Sequence, residues 1–382
     1  MTNIFLYGTL RHAPLLEIIS GQSLEFLDPV PARLSGYRVA EVDGHGFPLI
    51  EEHHGASCEG VLLRDVRDAV AARLNFYELG FGYELRDVMV ETDSGPVVAW
   101  AYFPRPGLWQ AGPDWRLDKW SCEGWPVAKY AAREMMEYFG KFSPEEVADR
   151  HDMILARAGA RARAEAHPAP ATLRCGIGRE CVEKGAAEIS HAGFFLMRVY
   201  RLRHPLFSGG MSEWISREVF ISGDAALVLP YDPVRDRVML IEQFRMGPYA
   251  RGDGLPWLLE PIAGRIEAGE GAEPTARREA VEEAGLRLGN LERIGAFYAS
   301  PGNSSEYFNC FVGLTDLPDD AAGNGGAEEE QEDIRSHLLP FDEAITLMES
   351  GEANVAPLVL MLLWLQRERP RLRAAATGQP IA

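Results

Sequence analysis

Short apolar, β-prone runs punctuate the N-terminal third of the chain. Asn3 to Tyr7 is the first, and it ends at Gly8-Thr9-Leu10, where a buried strand enters a turn. Gly36 to Val42, Gly60 to Leu63, Tyr83 to Val90 and Val97 to Phe103 follow, separated by Gly, Pro and Asp turns, and predict a small closed or strongly curved sheet. Between them Val66 to Tyr77 carries helical periodicity and delivers Glu78 into Gly80-Phe81-Gly82-Tyr83. From Trp115 to Met153 the positions Trp120, Trp125, Tyr130, Met135, Met136 and Phe139 recur on a helical pattern, and Ser143-Pro144-Glu145-Glu146 predicts another helix start. Ala156 to Thr172 is rich in Ala and Arg and ends in His167-Pro168-Ala169-Pro170-Ala171. It has no apolar period of the kind a core needs and predicts a linker. Beyond it, Phe194 to Leu202, Ile215 to Ser222, Ala225 to Pro230 and Val238 to Gln243 alternate or run apolar as strands, with a hairpin turn at Asp232 to Asp236. A mixed sheet then delivers Trp257 to Ala263 into a glycine-opened loop. Val355 to Arg367 predicts an amphipathic helix, and Pro370 to Ala382 a frayed tail.

The pattern divides 382 residues into α+β domains at 1–155 and 173–382 with a linker at 156–172, each long enough to bury a core. A net charge of −19 argues against a sequence-independent grip on nucleic acid. The five scattered cysteines form no CxxC pair, so neither a disulfide framework nor a zinc site is indicated, which suits a reducing cytoplasm. No signal-peptide succession opens the chain, and Val355 to Leu365 is too short to span a bilayer. His53, His54 and His151 are isolated, lack metal-ligand spacing and are expected to be solvated.

The chemistry concentrates at Gly264 to Leu286, GRIEAGEGAEPTARREAVEEAGL. A helix from about Pro274 to Ala284 places Glu279, Glu282 and Glu283 on one face. Like charges at that spacing destabilise a helix by roughly a few tenths of a kcal/mol per pair, so a divalent cation is the natural compensation. Pro274 suits the first turn and Gly285 the residue past the end, while Glu270 can reach back to Arg278.

The spacing of Gly264, Glu270, Arg278-Glu279, Glu282-Glu283 and Gly285-Leu286 resembles the Nudix box at every fixed position. The resemblance implies an α/β/α sandwich with a mixed sheet and hydrolysis of a nucleoside diphosphate linked to another moiety. It also implies magnesium or manganese held by Glu279, Glu282, Glu283 and the carbonyl of Ala263. Over about residues 185 to 368 the chain is similar to bacterial ADP-ribose pyrophosphatases, on Gly193-Phe194-Phe195, Arg217-Glu218, LPYDPVRDRVMLIEQFR, WLLEPIAG, Ser300-Pro301-Gly302 and EQEDIRSH. That likeness implies that Phe194 stacks on adenine, that Arg217 and Arg245 contact the ligand and its phosphates, and that Glu306 holds the far ribose. It puts the general base at Glu330, with Glu328, Glu329 and Glu332 as rivals, and it implies a homodimer.

Residues 1 to about 110 resemble the gamma-glutamylcyclotransferase-like (AIG2-like) family. The likeness rests on Tyr7-Gly8-Thr9-Leu10, on Leu74-Asn75-Phe76-Tyr77-Glu78 followed by Tyr83, on Phe47-Pro48 and on Gly60-Val61-Leu62. It implies a small β-barrel with helices, a turn at Tyr7 to Leu10 that receives a substrate carboxylate, and Glu78 as proton shuttle. Asn75 and Leu79 depart from the family pattern, which leaves catalysis, ligand binding and sensing open for this half. The order of the two domains is similar to that in tellurite-resistance-associated proteins. Three readings follow: an ADP-ribose pyrophosphatase with an accessory domain, a bifunctional enzyme that also cleaves gamma-glutamyl amides, or a sensor. ADP-mannose and GDP-mannose are the competing Nudix substrates.

Overall fold

The computed structural model describes residues 2–43, 46–326 and 332–378. The chain forms two units, Met1–Gly176 and Ile177–Ala382.

In the first unit the strands are β1 (Thr2–Leu6), β2 (Val30–Val42), β3 (Pro48–Val66), β4 (Tyr83–Thr92), β5 (Gly95–Pro104) and β6 (Ala111–Asp114). They run in the order β3-β1-β5-β4-β2-β6, and an added β2–β3 pairing closes the first five into a barrel, as expected. Strand β1 has no polar face because both faces are covered. Phe5 and Tyr7 point into the barrel with Leu62, Val90 and Phe103, while Ile4 and Leu6 pack outward on Leu15, Leu16, Ile19 and Leu74. That outer layer comes from helices α1 (Ala13–Ser20), α2 (Leu24–Leu27) and α3 (Asp68–Glu78).

Four more helices complete the unit: α4 (Leu117–Glu123), α5 (Trp125–Glu137), α6 (Pro144–Ala148) and α7 (His151–Ala166). Ser143 and Glu146 cap α6 reciprocally, the arrangement the sequence predicts there. The expected linker at 156–172 is corrected by α7, which runs on to Ala166 and buries Ala156, Ala158 and Gly159. Its packing relies on small residues and on one buried ion pair, Arg157 to Glu134 at 2.5 Å, where Tyr138 also donates to Glu134 Oε1 at 3.0 Å. Neither feature registers as an apolar period.

The second unit holds β7 (Glu183–Ala192), β8 (Leu196–Arg203) and β9 (Ile215–Ile221) in a small antiparallel sheet. Its main sheet contains β10 (Asp224–Asp232), β11 (Arg237–Phe244), β12 (Trp257–Glu260), β13 (Ile262–Arg265), β14 (Leu291–Tyr298), β15 (Tyr307–Leu314), β16 (Asn324–Gly325) and β17 (Ile334–Pro340). The order is β14-β15-β10-β11-β17-β16, with β12 on β11 and β13 on β10. Because β10 and β15 are parallel and the other pairs antiparallel, the sheet is mixed. The helices are α8 (Met246–Arg251), α9 (Ala272–Ala284), α10 (Phe341–Ser350) and α11 (Ala356–Thr377).

Period-2 alternation in β10 sets the layers. Ala226 and Val228 pack on Ala276 and Ala280 of α9, whereas Leu227, Leu229 and Tyr231 pack on Leu358, Met361 and Leu362 of α11. The run Trp257 to Ala263 breaks at Pro261, which has no N–H to give a ladder, so β12 pairs with β11 and β13 with β10. In the β10–β11 turn Asp232 Oδ1 accepts from the N–H groups of Val234 and Arg235 at 2.9 and 3.0 Å.

The frayed tail expected from Pro370 is also corrected. Helix α11 passes through Pro370 to Thr377, with Leu372 2% exposed. Ionic contacts on both sides of the proline hold it: Arg369 and Arg373 bind Asp236, and Arg371 reaches Glu292 at 2.8 Å. Among the described residues, no helix is long and apolar enough to cross a membrane.

Candidate functional site

Two glycines set helix α9 in place, one past its C-terminus and one on the strand it packs against. Gly285 adopts φ 65°, and Leu286 N–H then reaches Ala280 O at 2.8 Å, closing the C-terminus. At the other side, a Cβ on Gly264 would lie 1.7 Å from Glu279 Oε1, so only glycine lets the acid approach β13 this closely. The expected contact of Glu270 with Arg278 is present at 3.2 Å, and the same guanidinium reaches Glu279 at 2.7 Å and Glu282 at 2.8 Å. Arg278 therefore joins the loop to the helix while drawing Glu282 outward, to 45% side-chain exposure.

Glu283 is the buried member, 3% exposed, and its Oε2 accepts from Ala263 N–H at 3.2 Å. Burial, the charge of Glu279 and that of Glu332 push its carboxyl up to about 9. Glu279 rises to about 7, through burial first and then the charges of Glu282 and Glu332, against the opposing pull of Arg278. Among the described residues no group of three or more His, Cys, Asp or Glu side chains is already converged on a metal position. The donor chemistry nevertheless suits a hard cation: two enclosed carboxylates are each raised by burial and by neighbouring acids, and the groups that could ligate are oxygens.

Arg245 forms the second half of the arrangement. Its Nε meets Glu260 Oε2 at 2.7 Å, and its charge opposes the upward shifts of Glu260, Glu283 and Glu306, each of which arises first from burial. Arg245, Glu306 and Glu283 thus share one electrostatic neighbourhood. Glu260 belongs to it too and was missed by the sequence reading. Its signal was a charged residue ending the apolar run WLLE.

Phe194 is 62% exposed, edge-on to Phe195 with ring centroids 5.0 Å apart, and Arg265 lies 5.8 Å from its ring centre. It is free to meet a flat ligand. Arg217 lies on exposed β9 and donates to Ser216 O at 2.8 Å, so the chain itself does not bring it to the acids. The β9 end is fixed instead through Phe220, whose N–H donates to Asn303 O at 2.8 Å, just beyond the Ser300-Pro301-Gly302 turn. Glu328, Glu329 and Glu330 lie outside the described residues. Glu332 is described, and its charge reaches both Glu279 and Glu283.

The first unit has a separate acid. Glu78 ends α3, and burial pushes its carboxyl up to about 7. Its charge in turn raises the hydroxyls of Tyr7, Tyr77, Tyr83 and Tyr102, each already raised first by burial, so four phenols lie within its electrostatic reach. Tyr7 donates to Tyr102 O at 2.6 Å, Tyr83 to Pro48 O at 2.9 Å, and Tyr102 to Asn75 Oδ1 at 2.7 Å. Asn75 therefore serves as an acceptor in this network. Gly8, inside the Tyr7 to Leu10 turn, has Pro48 Cγ 2.7 Å from where a Cβ would stand. The turn continues as a short 3-10 helix, Thr9–Arg11.

Comparison with known proteins matches these two regions separately. A family model described as "Gamma-glutamyl cyclotransferase, AIG2-like" matches residues 4–122, and one described as "NUDIX domain" matches residues 222–359. An ADP-ribose pyrophosphatase of Escherichia coli is 44% identical over 204 residues, spanning 53% of this chain and 97% of that protein. Its namesake from Haemophilus influenzae is 38% identical over 185 residues, 48% of this chain and 85% of the relative. A GDP-mannose pyrophosphatase of Escherichia coli is 34% identical over 150 residues, 39% of this chain and 77% of the relative.

Proposed function

The chain belongs to the Nudix hydrolases of the ADP-ribose pyrophosphatase family, and from that premise we propose that it hydrolyses ADP-ribose to AMP and ribose 5-phosphate with magnesium or manganese. The observation that carries this reading is the Glu279–Glu283 pair, packed against Gly264 and Ala263 and pushed toward the protonated form by burial and the charge of neighbouring acids. Glu279, Glu282, Glu283 and the carbonyl of Ala263 are the groups that would hold the ion. When bound, a divalent ion supplies positive charge against the pyrophosphate oxygens and makes water more acidic.

The chain's own residues do the remaining work. Arg245, paired with Glu260 and within electrostatic reach of Glu283, binds the phosphates, with Arg217 as a further ligand contact. Phe194 offers an exposed ring to the adenine, and Glu306 accepts from the far ribose. Water attacks one phosphorus, the bond from that phosphorus to the bridging oxygen breaks, and Glu330 takes the water's proton. The reach of Glu332's charge to both buried acids supports a base on this segment.

Turnover with magnesium on ADP-ribose, ADP-mannose, GDP-mannose and NADH, with products identified, tests the substrate. Preferential release of AMP and ribose 5-phosphate from ADP-ribose is expected. Faster GDP-mannose cleavage, a reading favoured by the relative of that name, would keep the hydrolase chemistry and overturn the substrate.

For the N-terminal barrel we propose cyclisation of gamma-glutamyl amides to 5-oxoproline. The turn Tyr7, Gly8, Thr9 and Leu10 receives the substrate carboxylate, and Glu78 moves the proton from the attacking amine to the leaving one. The buried carboxyl, whose charge reaches four tyrosine hydroxyls, supports this. Ligand binding without 5-oxoproline release would make the unit a sensor. A homodimer through the second unit is supported by an exposed cluster in which the Phe244 ring lies 5.3 Å from Trp257 and 5.9 Å from Tyr249, and light scattering checks it. All five cysteines are free, which supports a reducing cytoplasm.

A further inference from the structure

Gln243 is a buried polar residue to which the proposed reaction gives no role. It is 5% exposed, and its Nε2 is buried with no hydrogen-bond partner among the described residues. The strand register sets its surroundings. Ile241 lies opposite Glu260 and Gln243 opposite Leu258. Arg245 N–H continues the ladder to Pro256 O at 2.9 Å with extended backbone, φ −128° and ψ 131°. Ile241, Gln243 and Arg245 therefore point to one face, which Glu260 and Leu258 share. Ile241 packs there with Ala276 and Ala280, so this is the face of the acid helix.

Arg245 stands four residues past Ile241, yet its Nε meets the carboxylate opposite Ile241, Glu260 Oε2, at 2.7 Å. The two side chains thus span about 13 Å of strand at roughly 3.3 Å per residue, and the Gln243 position lies halfway along the bridge. Glu260 has a side chain only 14% exposed, whereas that of Arg245 is 39% exposed and open to a ligand. Burial pushes the Glu260 carboxyl up; Arg245 opposes this first, and the Gln243 amide after it. Gln243 therefore lies near enough to favour the ionised carboxylate, but its Nε2 stops short of a hydrogen bond.

We propose that Gln243 is a positioning residue for substrate binding: when a phosphate of the substrate draws Arg245 off Glu260, the Gln243 Nε2–H closes onto Glu260 and takes its place. Without that donor the exchange would leave a buried carboxylate with no partner, which costs more than an unpaired neutral amide. With it, the donor that is orphaned in the free protein is satisfied in the complex. Arg245 can then turn its planar fork to the phosphate oxygens while Glu260 stays ionised. The proposal rests on the reading that Arg245 binds the phosphates.

The test is steady-state hydrolysis of ADP-ribose with magnesium by the full chain carrying Gln243→Met, which keeps an unbranched side chain and lacks the donor. KM is expected to rise roughly ten- to hundredfold, the range for losing a hydrogen bond to a charged group, with kcat within about twofold of wild type. In a Glu260→Gln background, where no charge needs the amide, the same substitution is expected to change KM by less than about twofold. Without substrate Gln243→Met is expected to melt no lower than wild type, because the bond is not made there; Gln243→Leu repeats both measurements. An unchanged KM in Gln243→Met, while Arg245→Ala raises it, would overturn the proposal and leave the phosphate reading standing. An equal rise in KM in both backgrounds would overturn it too, as would a lowered melting temperature in both Gln243 variants, which would make the residue structural. If Arg245→Ala itself leaves KM unchanged, the phosphate reading falls and the proposal with it.

Discussion

Glu283→Gln should make the metal-free protein more stable while removing its pyrophosphatase activity. The wild-type carboxyl, at its ordinary 4.5 in the unfolded chain, is pushed up to about 9 in the folded one. Below pH 4.5 both states are protonated and the group costs nothing. As pH rises through the window from 4.5 to about 9 the unfolded state ionises first, so stability is lost progressively. At pH 7 that is two and a half pH units at about 1.36 kcal/mol each, a ceiling of about 3 kcal/mol. Glutamine removes this term and retains an oxygen to accept from Ala263 N–H. The protonated acid already presents a donor there, so the amide buries no new kind of polar group. For a unit of this size the gain corresponds to roughly 6–10 °C. Thermal unfolding of both proteins with a chelator, from about pH 4.5 to pH 8, provides the assay, with magnesium added afterwards. The difference should vanish at the acid end and grow with pH, and magnesium should raise the melting point of the wild type alone. A variant less stable than wild type at pH 7, or a difference that does not change with pH, would refute the argument.

Glu330→Gln should lower turnover by about 10²–10⁴-fold with little change in metal-induced stabilisation, and near wild-type turnover in a single-turnover assay would transfer the base to Glu328, Glu329 or Glu332. The N-terminal reaction should accelerate as Glu78 ionises: its carboxyl stands at about 7, so 5-oxoproline release should rise on going from about pH 6 to pH 8, and Glu78→Gln should abolish it. A flat profile with retained activity in the variant would remove Glu78 from the mechanism. Leu372→Ala should cost about 2–5 kcal/mol by chemical denaturation of the second unit, because Leu372 is 2% exposed in the α11 core. A cost below about 0.5 kcal/mol would restore the frayed end.

The acid helix was legible because its chemistry is written in local spacing. Gly264, Glu270, Arg278, Glu279 and Glu283 lie within one loop and helix, and their contacts in the fold are the short-range ones that such spacing imposes. The closed barrel was legible for a related reason, since the apolar runs set which residues each strand must bury. Two stretches that looked unstructured were helical because what holds them is remote and polar. Arg157 finds Glu134 across 23 positions, and Arg369 finds Asp236 across 133. A Pro within Arg-rich sequence carries no local sign of such partners.

The same distinction separates the two halves of the candidate site. Glu260 and Arg245 lie fifteen positions apart and meet because β11 and β12 are antiparallel neighbours, Phe244 opposite Trp257 and Ile241 opposite Glu260. This register seats a cation within reach of carboxyls that burial, and at Glu283 like charge as well, have made reluctant to ionise. Arg278 cannot take that role, because Glu270, Glu279 and Glu282 already occupy its guanidinium. One arginine therefore holds the helix to its loop, and the other, paired among the described residues only with Glu260, is the one proposed to bind the phosphates. Exchanging either for lysine removes the planar fork and should separate the two functions: Arg278→Lys should loosen the loop and lower stability, whereas Arg245→Lys should weaken substrate binding.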